Sequence, residues 1–217
     1  MSDYLTHFWS KRLHKAQEGL ESNNFETYLV DTLTQAKETV LNVILPGVNP
    51  EVVAWGGSVT LSTSGITEAL KQRKGLKVLD TSDPSLSKGQ KQELRRQALL
   101  CDLYFTGTNA LTESGQLINL DMHGNRVGAL TFGPRHVVVM VGRNKLCVDV
   151  EEAMLRVKGF VAPANAARLK MKTPCVKTGF CEDCKSPERV CNTWTITEKS
   201  FPKGRIKIVL INEDLGL

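Results

Sequence analysis

The chain has 217 residues, 41% of them hydrophobic and 24% charged, with a net charge of +5. That length suits one substantial α/β domain and is short for two, and the balance is that of an ordinary globular protein. The longest aliphatic run, Val137 to Val141, is far too short to span a bilayer, so no membrane partner is expected. The polar residues that interrupt the first turns (Asp3, His7, Lys11, Arg12, Lys15) are unlike a secretory signal, which points to the cytoplasm.

The first forty residues predict two amphipathic helices. Leu5, Phe8, Trp9, Leu13, Ala16 and Leu20 recur at helical spacing, as do Phe25, Leu29, Leu33, Ala36 and Val40, with Ser22 to Asn24 between them. Such stripes pack on a core, or alternatively pair in a homodimer. From Glu51 short strands alternate with helices. Val52 to Trp55, Leu76 to Leu79 and Leu103 to Thr106 read as strands, and Ile66 to Arg73 and Gln90 to Leu100 as helices. This order predicts a mainly parallel, Rossmann-like sheet covered by helices.

Leu117 to Met122, Arg126 to Phe132 and His136 to Val141 then read as three strands of a hairpin or meander inside or beside the parallel sheet, separated by His123-Gly124-Asn125 and Gly133-Pro134. Asp149 with Glu152 predicts a capped helix to about Lys158, and Pro163 opens a short helix ending near Lys170. Thr193 to Thr197 and Arg205 to Ile211 close the domain as strands. The expected organisation is residues 1–45 as helices packed on an α/β domain of residues 46–217, with a cysteine-rich loop at 173–193.

That loop carries Cys175, Cys181, Cys184 and Cys191, four thiols within seventeen residues. Cytosolic thiols stay reduced, so clustering on this scale predicts a soft metal rather than disulfides. Only Cys181 and Cys184 form a Cys-x-x-Cys knuckle, and the flanking gaps are irregular. This favours a 4Fe–4S cluster, with zinc as the alternative. Between Arg156 and Lys207 there are twelve Lys/Arg against four Asp/Glu. The excess either offsets thiolate charge or faces an anionic partner. Nucleic acid is not the expected partner, since only Phe180 and Trp194 flank the cysteines as stacking surfaces. Cys101 and Cys147 read as core residues.

Two turns are candidates for binding a ligand. The first, Gly56-Gly57-Ser58 with Thr60, follows a strand and offers hydroxyls and close backbone approach. It matches no nucleotide-binding fingerprint, and a capped β-to-α turn explains it equally. The second gathers Asn109, Glu113, Asn119, Asp121, Asn125 and Arg126 after a strand. Arg126 or the Gly56–Ser58 turn would engage the carboxylate or phosphate of a small anionic metabolite, and Glu113 or Asp121 would act as acid/base. His123 reads as a turn residue and His136 as structural.

The stretches GGSVTLSTSGI, YFTGTNALTESGQLINLDMHGNRVGALTFGPRHVVVMVG and TPCVKTGFCEDCKSPERVCNTWTI, with the closing IVLINEDLGL, resemble the LUD (lactate utilisation) proteins, formerly a domain of unknown function. The resemblance implies a three-layer α/β/α fold similar to ribose-5-phosphate isomerase and the coenzyme A transferases. It also implies a redox-linked role in lactate or related 2-hydroxy-acid utilisation, alongside iron–sulfur oxidoreductase partner subunits. The four-cysteine segment departs from the shorter lactate-utilisation subunits and suggests a cluster-bearing branch. Coenzyme A transferases use a glutamate nucleophile, for which Glu113 is the nearest candidate by position alone. A sugar-phosphate or acyl-CoA enzyme with structural zinc and a non-catalytic metal-stabilised module remain the rival readings.

Overall fold

Alternation along two neighbouring strands shows how the layers form. Val137, Val139 and Val141 with Ile206, Ile208 and Leu210 face one apolar cluster, while Val138 and Met140 with Val209 and Ile211 face another. A strand buried on both faces in this way is what a covered parallel sheet requires. In the computed structural model, which describes residues 3–217, the main sheet has six parallel strands in the order β1-β10-β7-β4-β2-β3. These are Glu26–Val30 (β1), Val52–Trp55 (β2), Lys77–Leu79 (β3), Leu103–Gly107 (β4), His136–Gly142 (β7) and Ile206–Ile211 (β10).

One face is covered by α1 (Asp3–Ser22), α6 (Lys88–Gln97) and α7 (Asn125–Thr131), and the other by α2 (Leu33–Thr39), α3 (Leu45–Val48), α4 (Val59–Thr63) and α5 (Ile66–Gln72). The result is the expected three-layer α/β/α arrangement. A smaller sheet of β8 (Leu146–Cys147), β5 (Ala110–Thr112), β6 (Leu117–Asp121) and β9 (Thr193–Thr197) lies beside it. Its outer face packs on α8 (Val150–Arg156) and α9 (Ala162–Arg168) through Ala110, Ile118, Cys147, Ala153 and Val157. The short α10 (Pro174–Thr178) opens the cysteine loop. Among the described residues no helix is long and apolar enough to cross a membrane.

Three local expectations are corrected. The predicted second helix begins only at Leu33, and its first part is β1, paired in parallel with β10. Phe25 and Leu29 share a face at a spacing of four in either conformation, so the stripe did not discriminate. Tyr28 and Val30 turn to the opposite cluster, as a period of two demands. Secondly, Arg126 to Phe132 is helical, not a strand: Val127 and Leu130, three apart, are both buried. Thirdly, the expected meander is divided, because β6 pairs antiparallel with β5 and β9 while β7 is central in the parallel sheet.

The helices at 33–48 and 150–168 each widen through one π turn immediately before a proline. Leu45 N–H bonds to Val40 O and Ala162 N–H to Val157 O, five residues back. Pro46 and Pro163 have no N–H to continue the ladder and crowd the preceding turn, which a wider turn relieves.

Candidate binding cleft and thiol cavity

In parallel sheets the turns at the carboxyl ends of the strands lie on one edge and form a crevice there. Gly57 and Ser58 follow β2, Thr81 follows β3, Thr108 and Asn109 follow β4, and Lys145 follows β7, and all of them line one cleft of about 280 Å³. Asp121, His123, Asn125 and Arg126, from the end of β6 and the start of α7, form another wall. Arg95 of α6 and Arg168 of α9 also line the cleft. The size is near the lower end of ligand pockets, roughly 300–1,000 Å³, and suits a small metabolite.

Arg126 organises the centre. Its Nε donates to Asp121 Oδ2 at 2.7 Å, Nη1 to Gly107 O and Asn119 Oδ1, both at 3.3 Å, and Nη2 to Asn109 Oδ1 at 3.3 Å and Leu120 O at 3.4 Å. A guanidinium has five N–H donors, and all five are engaged within the protein. Arg126 therefore braces the cleft wall rather than offering a free fork. Asp121 is similarly committed, accepting from His123 N at 3.2 Å, Gly124 N at 2.8 Å and Arg126. Asn119 is fully buried behind the wall, its Oδ1 also accepting from Asn109 N at 3.3 Å. Asn125 donates to Tyr104 Oη at 3.4 Å.

Gly56 lies beneath this network: a Cβ there would stand 2.6 Å from Arg126 Cγ and 2.7 Å from Tyr104 Oη. Ser58 caps α4, accepting from Leu61 N at 3.2 Å. Thr60 is buried, donating to Leu215 O at 3.2 Å and accepting from Lys145 Nζ at 3.4 Å. Glu113 is not brought to the cleft. It binds Arg12 Nε and Lys15 Nζ of α1, each at 2.7 Å, and these two cations hold its carboxyl below the ordinary range despite some burial.

The four loop thiols all line a second, smaller cavity with Ala162, Pro163 and Val190. None is in a disulfide, and all four are partly exposed. The protein itself orders the loop: Arg189 donates to the carbonyls of Cys184 and Cys191 and to Asp183 Oδ1 at 2.9 Å, while Lys158 reaches the same carboxylate at 2.7 Å. Four soft donors beside Lys158 and Arg189 fit a thiolate-held metal, because the cations offset thiolate charge. The space enclosed among the thiols is small, about 10 Å³. Among the described residues no three His, Cys, Asp or Glu side chains already converge in ligating geometry. The sulfurs share a cavity, not a finished coordination shell. Val190 lines both this cavity and the cleft.

A family model described as the LUD domain matches residues 13–211. The chain belongs to the LUD-domain family. Its fold is similar to that in the crystal structure of a DUF162 family protein from Deinococcus radiodurans, with a TM-score of 0.53 and 16% identity, covering 94% of this chain and 98% of that one. At that identity the likeness concerns the fold alone. No curated protein matches.

In this LUD protein the structure brings together Gly57, Ser58, Asn109, Asp121, Asn125 and Arg126 from the sequence-derived set. It also adds residues that sequence reasoning missed. Lys145, Arg95, Arg168 and Asn165 line the cleft, and so does His123, which had read as a plain turn residue. Burial, and then the charge of Arg95, hold the His123 imidazole below its usual pKa, so it is neutral at pH 7. The one available signal for Lys145 was its position just after a strand of the parallel sheet.

Proposed function

We propose that this LUD-domain protein binds a small anionic metabolite of the 2-hydroxy-acid class in the cleft and carries a thiolate-bound metal centre, in a redox-linked step of lactate or related 2-hydroxy-acid utilisation. The observation that carries the reading is the charge of the cleft. Among the described residues Arg95 and Arg168 bond only to the neutral side chains of Gln92 and Asn165. Among the described residues neither has a carboxylate partner, whereas Arg126 in the same cleft is already paired with Asp121. Two guanidiniums with spare donors match a carboxylate in charge and in hydrogen-bond donors. Asn125 orients the bound acid, and His123, neutral and in the wall, is better placed than Glu113 or Asp121 to move a proton.

Cys175, Cys181, Cys184 and Cys191 would hold the metal. An iron–sulfur centre supplies one-electron redox chemistry there, whereas zinc supplies a cross-link. In a second reading the four thiols hold structural zinc, the loop is braced and the cleft acts alone. The proposed setting is the cytoplasm, where the thiols stay reduced, with iron–sulfur oxidoreductase subunits as electron partners.

Calorimetric titration with L-lactate and with lactamide, its neutral counterpart, tests the cleft. Lactate should bind, lactamide should not, and Arg168→Ala should weaken lactate about tenfold, or ~1.4 kcal/mol. Equal behaviour of the two compounds would overturn the anion reading. Iron, sulfide and zinc analysis of anaerobically purified protein decides between the two metals, and a metal-free protein removes both.

A further inference from the structure

Three consecutive carbonyls at the end of β4 each hold one basic group. Gly107 O accepts from Arg126 at 3.3 Å, Thr108 O from Lys145 Nζ at 3.2 Å and Asn109 O from Arg156 Nη1 at 2.8 Å. The middle group differs from its neighbours in chemistry: the guanidiniums stay charged, whereas an amine can shed its proton. Lys145 is only 4% exposed yet lines the cleft. Its other contact is the Thr60 hydroxyl at 3.4 Å, and among the described residues no carboxylate pairs with it. The segment at 215–217 lies over the amine, so closely that a Cβ on Gly216 would stand 3.4 Å from Nζ. Burial first, then the charges of Arg156 and Arg126, push the Lys145 ammonium down to about 7.

We propose that Lys145 is a nucleophile that captures a 2-oxo acid bound in the cleft by forming an imine with its carbonyl carbon. The inference rests on the anion-binding reading of the same cleft and adds a covalent step to it. The Nζ lone pair makes the new C–N bond. The carbonyl oxygen leaves as water, taking up both amine protons, and a C=N bond remains. No oxidant or reductant is consumed, and water reverses the step. The carbonyl acid is the oxidised counterpart of the 2-hydroxy acid, so the same carboxylate-binding groups serve both. A desolvated lysine beside other cations is the recurrent way such amines are activated.

Pyruvate with sodium cyanoborohydride tests this on the full chain, since hydride converts the imine to a stable secondary amine. One adduct is expected, with the mass of pyruvate less one oxygen, and peptide mapping should place it on Lys145. L-lactate, having no carbonyl, should leave no adduct and should slow labelling. Labelling should fall about tenfold for each pH unit below about 7, where the amine is protonated. The charged groups facing it are the guanidiniums of Arg126 of α7 and Arg156 of α8, and Asp121 of β6 is tied to Arg126. Lys145→Met should abolish the adduct. If that variant does not fold, protection of the wild-type protein by lactate still decides. Adducts scattered over surface lysines, or unprotected by lactate, overturn the proposal. Where lactate binds but pyruvate leaves Lys145 unmodified, the imine falls and the anion cleft stands. Where neither acid binds, both fall.

Discussion

Arg126 shows how one side chain ties together groups that sequence proximity only suggested. Asn109, Asn119 and Asp121 were grouped with it because they crowd one polar stretch, and its five N–H donors do connect them. The role differs from the expected one, since a fully engaged guanidinium has nothing left for a ligand. That difference lies in three-dimensional geometry, which composition cannot express. Its long stem passes where Gly56 has no side chain. Gly56→Ala should therefore displace Arg126 and Tyr104, at a cost of about 1–3 kcal/mol for an overpacked site. Urea denaturation would register it, and lactate affinity should fall with it because the cleft wall shifts. Unchanged stability would mean that the stem can move aside freely.

At the scale of elements, the main-sheet strands other than β1 were legible because burial on both faces gives continuous apolar runs, α5 through the spacing of its buried Ile66 and Leu70, and α8 through its Asp149 cap. Errors fell where two periods coincide. Phe25 and Leu29 satisfy helix and strand alike, and Val127 and Thr131 lent a β-like composition to what is α7. β5 and β8, of three and two residues, are too short to show any period. Glu113, read as a candidate nucleophile, instead fastens α1 to the turn after β5. Its carboxyl is lowered from 4.5 by Lys15 and Arg12, so the linkage stabilises the folded state above about pH 4.5 and is lost as pH falls through the depressed value. Glu113→Gln should cost about 1 kcal/mol near pH 7, and progressively less as pH falls below 4.5, by denaturation across that range. An equal cost throughout would point to packing rather than charge.

Across the whole molecule the layered α/β architecture was readable from strand–helix order, and the position of a crevice at the strand ends follows from it. The insertion of a second sheet was not readable. It depends on β9, seventy residues beyond β6 in the chain, returning to pair with it. That pairing also sets the cysteine loop against α9, where the thiols meet apolar side chains. Cys184→Ser should lower bound metal, and hydrogen exchange at 173–193 should speed while amides of the six-stranded sheet keep their protection. Uniform loss of protection would show that the loop is integral to global stability.

Val190 belongs to two cavities at once. Its isopropyl group is therefore part of the wall of both the chamber where a metabolite would lie and the one lined by sulfur. Trimming it to a methyl would widen both compartments at that point, and enlarging it to a ring would crowd both.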